Sequence, residues 1–283
     1  MQKKLIKDFS IRPRKSLGQH FLVKEEIFNR IVALGNFQKE DIVVEIGAGL
    51  GGLTSCLAER VKMVLAIEKD GKLANLLRTK IIKKSNVKII HQDALEFDYT
   101  HAASEVGCPL KIAGNLPFNI ASHLTIELLK KRDSVVSMVL MYQKEVAERI
   151  VARPGNKNYG FLTIMVGLYA DAEEILSVGK EAFYPQPKVD SKVIKFNLLS
   201  CPREELENEK YFSTVVKAAF SQRRKKLRNA FKSIAGTQLA PEFIEHLCHE
   251  NKIDPNQRAE SITLKEFACL SNQLFMQLRS TDH

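Results

Sequence analysis

Between residues 42 and 141 the sequence repeats one pattern, a short apolar run, a turn and then an amphipathic stretch. The runs are Ile42–Ile46, Met63–Ile67, Val87–Ile90, Leu110–Ala113 and Val135–Met141. Runs this short and this predominantly apolar suit strands buried on both faces, and the stretches between them suit helices that cover those faces. Alternation of this kind predicts βα units and a mostly parallel sheet. Two later extended candidates, Ala172–Val178 and Val193–Leu199, follow a helical stretch at Phe161–Tyr169 and are expected to pair antiparallel at one edge. The expectation is an α/β fold with a mixed sheet of about seven strands.

After Ser200 the texture changes to an acidic stretch, Glu204–Glu209, and then to helical periodicity in Tyr211–Phe220, Arg223–Ile234, Pro241–Glu250 and Leu264–Leu278. We expect one domain over residues 1–200, carrying a basic N-terminal arm, and a small all-helical domain over 201–283. A chain of 283 residues is long enough to bury a core in each. No apolar stretch approaches the roughly 18 residues that span a bilayer. Met1–Ser10 lacks the apolar centre and cleavage site of a signal peptide, so a cytoplasmic location is expected. The five cysteines, Cys56, Cys108, Cys201, Cys248 and Cys269, are widely spread and form no CxxC pair, which fits a reducing compartment. His246-Leu-Cys-His249 is the one run with metal-ligand residue types, and on a helix its three side chains cannot converge, so no metal is expected.

The chemistry begins at Glu45-Ile-Gly47-Ala-Gly49-Leu-Gly51, which follows the first run and opens a helix at Leu53–Val61. Glycines here let backbone approach a ligand closely, and a helix start offers free N–H groups. Dinucleotide binders, S-adenosylmethionine-dependent methyltransferases and plain tight turns share such a pattern. A dinucleotide fingerprint places glycines first, third and sixth, whereas Gly47, Gly49 and Gly51 alternate and Gly52 closes the set. Glu45 would sit badly beside a pyrophosphate but suits a ligand carrying an ammonium and a sulfonium. Glu68 ends the second run at the spacing where an acid accepts both hydroxyls of a ribose. Asp93, in His91-Gln-Asp-Ala94, offers an acceptor for an adenine amino group at the end of the third. Open parallel sheets bind ligands at this edge.

Gly114-Asn-Leu-Pro-Phe118 ends the fourth run. With it the chain resembles the rRNA adenine N6,N6-dimethyltransferases, and within them the small-subunit type. The likeness runs almost end to end, through Lys15-Ser-Leu-Gly-Gln-His-Phe-Leu22, Val44–Gly51, Gln92-Asp-Ala94, Gly114–Phe118, Phe183-Tyr-Pro-Gln-Pro-Lys-Val-Asp-Ser191, Gln222-Arg-Arg-Lys-Lys-Leu-Arg228 and Arg258-Ala-Glu-Ser261. The resemblance implies a Rossmann-like class I methyltransferase sheet with S-adenosylmethionine as cofactor. It implies that His20 and Leu22 contact the cofactor, Gly47 lines its methionine end, Glu68 holds the ribose, Asp93 binds the adenine, and Gly49 and Asn115 also bind the cofactor. His20 stands where Asn is also common, and Phe118 where Tyr is usual, which leaves stacking intact but removes a hydroxyl.

The N6 amine of adenine is a poor nucleophile because its lone pair is delocalised into the ring. If Asn115 Oδ1 and the Leu116 carbonyl accept its two hydrogens, the nitrogen is drawn toward tetrahedral geometry, so that positioning and electrostatics rather than a strong base carry the rate. Pro117 would fix the backbone, and Phe118 and Phe183 would sandwich the extruded base.

The excess of 43 Lys and Arg over 33 Asp and Glu, a net charge of +10, suits a polyanionic partner. Arg223, Arg224, Lys225, Lys226, Arg228 and Lys232 load one end of the expected second helix of the C-terminal domain. Lys3, Lys4, Lys7, Arg12, Arg14 and Lys15 load the N-terminal arm. A solvated face and an RNA contact are both open readings of such runs, and a flipped-base pocket favours RNA. The expected function is dimethylation of two adjacent adenosines in the 3′-terminal hairpin loop of small-subunit rRNA, within a pre-ribosomal particle, by a monomer. A large-subunit dimethyltransferase of the macrolide-resistance type, an assembly-checkpoint RNA-binding protein and a dehydrogenase are the rivals.

Overall fold

The structure, a computed structural model, describes residues 2–234 and 237–281. Seven strands form the main sheet, β1 (Ile42–Ile46), β2 (Met63–Glu68), β3 (Val87–His91), β4 (Leu110–Asn115), β5 (Val135–Gln143), β6 (Ala170–Val178) and β7 (Ser191–Leu198). Their spatial order is β3-β2-β1-β4-β5-β7-β6. Strands β1 to β5 run parallel, and β7 lies antiparallel between β5 and β6. The α/β expectation and the antiparallel edge pair are both observed.

Burial explains the order. All five residues of β1 are buried, Val43 and Val44 completely, so this run, apolar but for Glu45, is central. The pattern of β3, with no fully buried residue, belongs to an edge. Chain order reverses between β1 and β4, and the crevice outside their carboxyl ends is where such sheets take ligands. Gly114 makes this closeness possible. It pairs with Ile46, and a Cβ there would stand 2.5 Å from the Ile46 carbonyl oxygen.

The chain forms two compact units, Met1–Ala147 with Ala170–Ser200, and Glu148–Tyr169 with Cys201–His283. The segment 148–169, read from sequence as part of the first domain, thus groups with the second. Its partners lie beyond residue 200, since Tyr159 Oη donates to the Ile262 carbonyl, Arg203 Nε to the Gly167 carbonyl and Tyr169 Oη to Glu209. Helices Glu209–Ser221, Leu227–Ala230, Pro241–Glu250 and Leu264–Thr281 build most of the rest. The all-helical expectation needs one correction, because Ser233–Ile234 and Thr237–Gln238 pair as a short antiparallel ladder. Among the described residues no helix is long and apolar enough to cross a membrane.

Candidate active site

The carboxyl ends of β1 to β4 converge on one cavity. Its walls include Glu45, Gly47, Gly49, Glu68, Asp93 and Asn115 through Phe118, together with His20 and Leu22 from the segment before the sheet. Of the side chains expected at the cofactor and reaction centre, all but Phe183 meet here.

The loop after β1 turns three times through left-handed backbone, at Gly47 (φ 75°), Gly49 (56°) and Gly51 (73°), a conformation that glycine adopts without steric cost. Gly47 and Ala48 donate to the Ile67 carbonyl at 2.9 and 3.2 Å, tying the loop to β2. Glu68 then locks it, accepting from Gly49 N at 2.8 Å on Oε2 and from Asp70 N at 2.8 Å on Oε1. Each oxygen keeps a lone pair for a ribose hydroxyl. Burial pushes the Glu68 carboxyl above its ordinary range, against the pull of the Asp70 and Gly49 amides. Glu45 is more extreme. It is 1% exposed, its Oε2 has no hydrogen-bond partner, and burial, opposed by Thr54 and reinforced by Glu68, raises its pKa to about 8.

Asp93 lies at the open end, accepting from Lys69 Nζ at 2.5 Å and from Leu95 N at 3.1 Å. Partial burial would raise its carboxyl, but these donors outweigh it and hold the group below the usual range. An adenine amino group entering here meets an ionised acceptor already engaged by an ammonium.

Asn115 is the last residue of β4. Its Nδ2 donates to the His20 carbonyl at 3.2 Å, which fixes which way the amide faces, and its Oδ1 is buried with no partner. A buried acceptor left unpaired costs about 1–3 kcal/mol, so this oxygen is held ready at the expense of stability. Leu116 N donates to the Met141 carbonyl at 3.2 Å. The Pro117 carbonyl accepts from Ile120 and Ala121 at 3.2 and 3.1 Å, so the turn runs directly into the helix Ala121–Leu129. The half-buried Phe118 ring stacks on His20 with centroids 5.3 Å apart and planes at 26°. His20 Nδ1 lies 2.7 Å from the Pro185 carbonyl, which can only accept, so that nitrogen carries the proton.

Phe183 stands apart from the residues that line the cavity. It pairs with Leu22 in the two-residue ladder of Phe21–Leu22 with Phe183–Tyr184, is 4% exposed and packs in the main core, while Tyr184 beside it is 45% exposed. Strand alternation sends the two rings to opposite sides, and Phe183 is the inward one.

The N-terminal arm supplies what the sequence reading missed. Gln2–Asp8 is a helix, Gln2 is buried, and Ile6 and Ile11 pack against Phe21, Leu50 and Leu73, so the arm folds over the glycine loop. Asp70, buried, caps the helix Gly71–Leu76 and receives Gln19 Nε2 at 3.3 Å and Arg14 Nε at 3.5 Å. The apolar residues between the lysines and the Asp-Gly pair at 70–71 were the available signals.

In the second unit the basic run Arg223–Arg228 lies not on a long helix but on a turn entering the four-residue helix Leu227–Ala230. Arg223 pairs with Glu260 at 3.3 Å and donates to the carbonyls of Tyr159 and Lys157. Arg228 pairs with Glu245 at 2.8 Å, and Lys226 donates to Asn256 at 3.1 Å. These tertiary ties override helical propensity. Arg224 and Lys225 are exposed. In the helix Pro241–Glu250, Cys248 is buried while His246 is exposed and lies 3.3 Å from Glu250.

Sheet order, the antiparallel final pair and a left-handed glycine loop at the reversal define a class I methyltransferase fold. The family described as Ribosomal RNA adenine dimethylase matches residues 11–274. The chain is 43% identical over 270 residues to the Ribosomal RNA small subunit methyltransferase A of Magnetococcus marinus, covering 95% of each chain. It is 39% identical to the Clostridium botulinum protein of that name, covering 96% of this chain and 98% of the other. Among solved structures it resembles a dimethyladenosine transferase from Plasmodium falciparum, with a TM-score of 0.73, 26% identity and coverage of 92% and 98%. The 23S rRNA methyltransferase ErmE, at 21% identity and TM-score 0.68 over 90% of this chain and 99% of that one, shares the fold. The chain belongs to the ribosomal RNA adenine dimethylase family.

Proposed function

We propose that the protein transfers methyl groups from S-adenosylmethionine to N6 of two adjacent adenosines in the 3′-terminal hairpin loop of small-subunit rRNA, two per base, within a pre-ribosomal particle. The observation that carries the reading is Asn115 Oδ1, a buried acceptor without a partner in the wall of the cavity, its amide oriented by Nδ2 donating to the His20 carbonyl. Three carboxyl groups and an amide oxygen, all lining one cavity, match the cofactor's polar groups and the amine to be methylated. Glu68 would take the ribose hydroxyls, Asp93 the adenine amino group, and Glu45 with Gly47 the amino-acid end. When bound, the cofactor supplies an electrophilic methyl on a sulfonium.

The protein's own part is positional. Asn115 Oδ1 and the Leu116 carbonyl accept the two N6 hydrogens and turn the lone pair out of conjugation, toward the methyl donor. Pro117 restricts the backbone that presents that carbonyl. Phe118 offers a ring face to the extruded base, and stacking worth about 1–3 kcal/mol offsets part of the unstacking cost. After one transfer, with one N6 proton released to solvent, N6 still has one hydrogen, one acceptor stays engaged, and exchange of cofactor permits a second cycle. In the second unit Arg224 and Lys225 would reach phosphates.

Undermethylated small and large ribosomal subunits, each incubated with the protein and methyl-labelled cofactor, test the proposal. Labelled N6,N6-dimethyladenosine in small-subunit rRNA alone is expected. Label confined to large-subunit rRNA, or none in either under conditions where the cofactor binds, would overturn it.

A further inference from the structure

Glu45, assigned above to the amino-acid end of the cofactor, is the buried group whose protonation the positional chemistry leaves unexplained. It stands on the central strand β1, two residues before the first left-handed glycine, and lines the cavity with 1% of its surface exposed. The groups facing it are Thr54 and Glu68, with Cys56 within electrostatic reach, and none of these is a cation. Glu68 is itself buried and has both oxygens tied to backbone amides, so it supplies no proton to share with Glu45. An ionised carboxylate at this place would be desolvated, beside a second acid, with Oε2 unpaired. The cavity is therefore completed by a cation that arrives from outside.

We propose that Glu45 is neutral in the free protein and gives up its proton when the ammonium-bearing amino-acid end of the cofactor binds, so that cofactor capture and proton release are one coupled step. The inference rests on the methyltransferase reading of the site. The balance is simple, because the carboxyl O–H bond breaks, the proton passes to solvent, and the carboxylate pairs with the incoming ammonium. The free carboxyl's pKa of about 8 sets the working range, in which apparent affinity rises about tenfold per pH unit from pH 6 toward 8. Above that range the ligand's own α-amino group, which titrates near 7.7–8.0 in reference peptides, begins to lose its charge.

Calorimetry at pH 7.0 in phosphate and in Tris, buffers of very different ionisation heat, counts the protons. Binding of S-adenosylmethionine should release close to one proton from the native protein and almost none from Glu45→Gln, which keeps the shape of the side chain. S-adenosylhomocysteine, which retains the ammonium but lacks the sulfonium, should also release close to one. 5′-Methylthioadenosine, which lacks the amino-acid end, should bind with none. Native binding with no buffer-dependent heat, release undiminished in Glu45→Gln, no release with S-adenosylhomocysteine, or equal release with 5′-methylthioadenosine would each overturn the coupling while leaving the cofactor assignment intact. Absence of S-adenosylmethionine binding in every buffer would overturn the assignment and the coupling together. If the glutamine variant fails to fold, the native protein with the three ligands still decides.

Discussion

The sheet edge and the basic turn of the second unit are both dense in polar side chains, and both read from sequence as functional. They differ in what those side chains do with their partners. At the sheet edge, Glu45 Oε2 and Asn115 Oδ1 are buried and unpaired inside a cavity. On the basic turn, Arg223, Lys226 and Arg228 are engaged by groups of their own unit, and the unpaired buried acceptor there, Gln222 Oε1, is not in the wall of that cavity. An unpaired buried acceptor is a cost that folding alone does not explain, whereas a paired surface arginine is accounted for by the loop it holds. The type of residue in a motif is thus weaker evidence of a ligand than its unsatisfied valence.

The largest effect that tests this contrast lies in the core beneath the site. Phe183→Ala should lower stability by about 3–5 kcal/mol, as for other large-to-small core changes, measured by denaturant unfolding. A variant of native stability with weakened adenosine engagement would restore Phe183 to the base pocket. Next is Asn115→Ala, which should reduce kcat by about 10²–10³-fold, the scale of a lost transition-state hydrogen bond, with cofactor affinity changed only a few-fold. Cofactor binding lost together with activity would mean that the turn is structural.

The third prediction concerns pH. The folded pKa of Glu45, about 8, lies above its unfolded value of 4.5, so the native state holds a proton that the unfolded chain has released. The stability contribution is complete below pH 4.5 and is lost as pH rises through 8. The cofactor-free protein should therefore melt roughly 5 °C or more lower at pH 8 than at pH 6, and Glu45→Gln should remove most of that difference. Identical pH dependence in both proteins would show the carboxyl to be ionised throughout. The smallest effect belongs to the exposed pair of the basic turn. Arg224→Ala with Lys225→Ala should weaken rRNA binding about tenfold and flatten its log–log salt dependence by about 1.5, without altering the melting temperature. Arg223→Ala should do the reverse, lowering the melting temperature with little change in salt slope.

Local periodicity made most of the sheet legible, because strands buried on both faces need apolar runs and helices between them need one apolar stripe. The glycine loop and the Asn115–Phe118 turn were legible for a related reason, since left-handed backbone and a proline-fixed carbonyl restrict the residues that fit. The surroundings of Phe183 were less legible because a two-residue ladder is too short to display alternation, and only its pairing with Leu22 and its burial show that Phe183 faces in and Tyr184 out. The run 223–228 has good helix formers, but what decides its path lies far along the chain, at Tyr159, Glu245, Asn256 and Glu260. The same long-range contacts draw residues 148–169 into the second unit. In the arm, the lysines drew attention from Ile6 and Ile11, which do the packing.

Mass spectrometry of digested small-subunit rRNA from cells lacking the protein tests the central claim most directly. The account predicts that N6,N6-dimethyladenosine disappears, returns with the native protein and does not return with Asn115→Ala expressed to the same level. Persistence of the modified base in the deletion, or its restoration by Asn115→Ala, would contradict it.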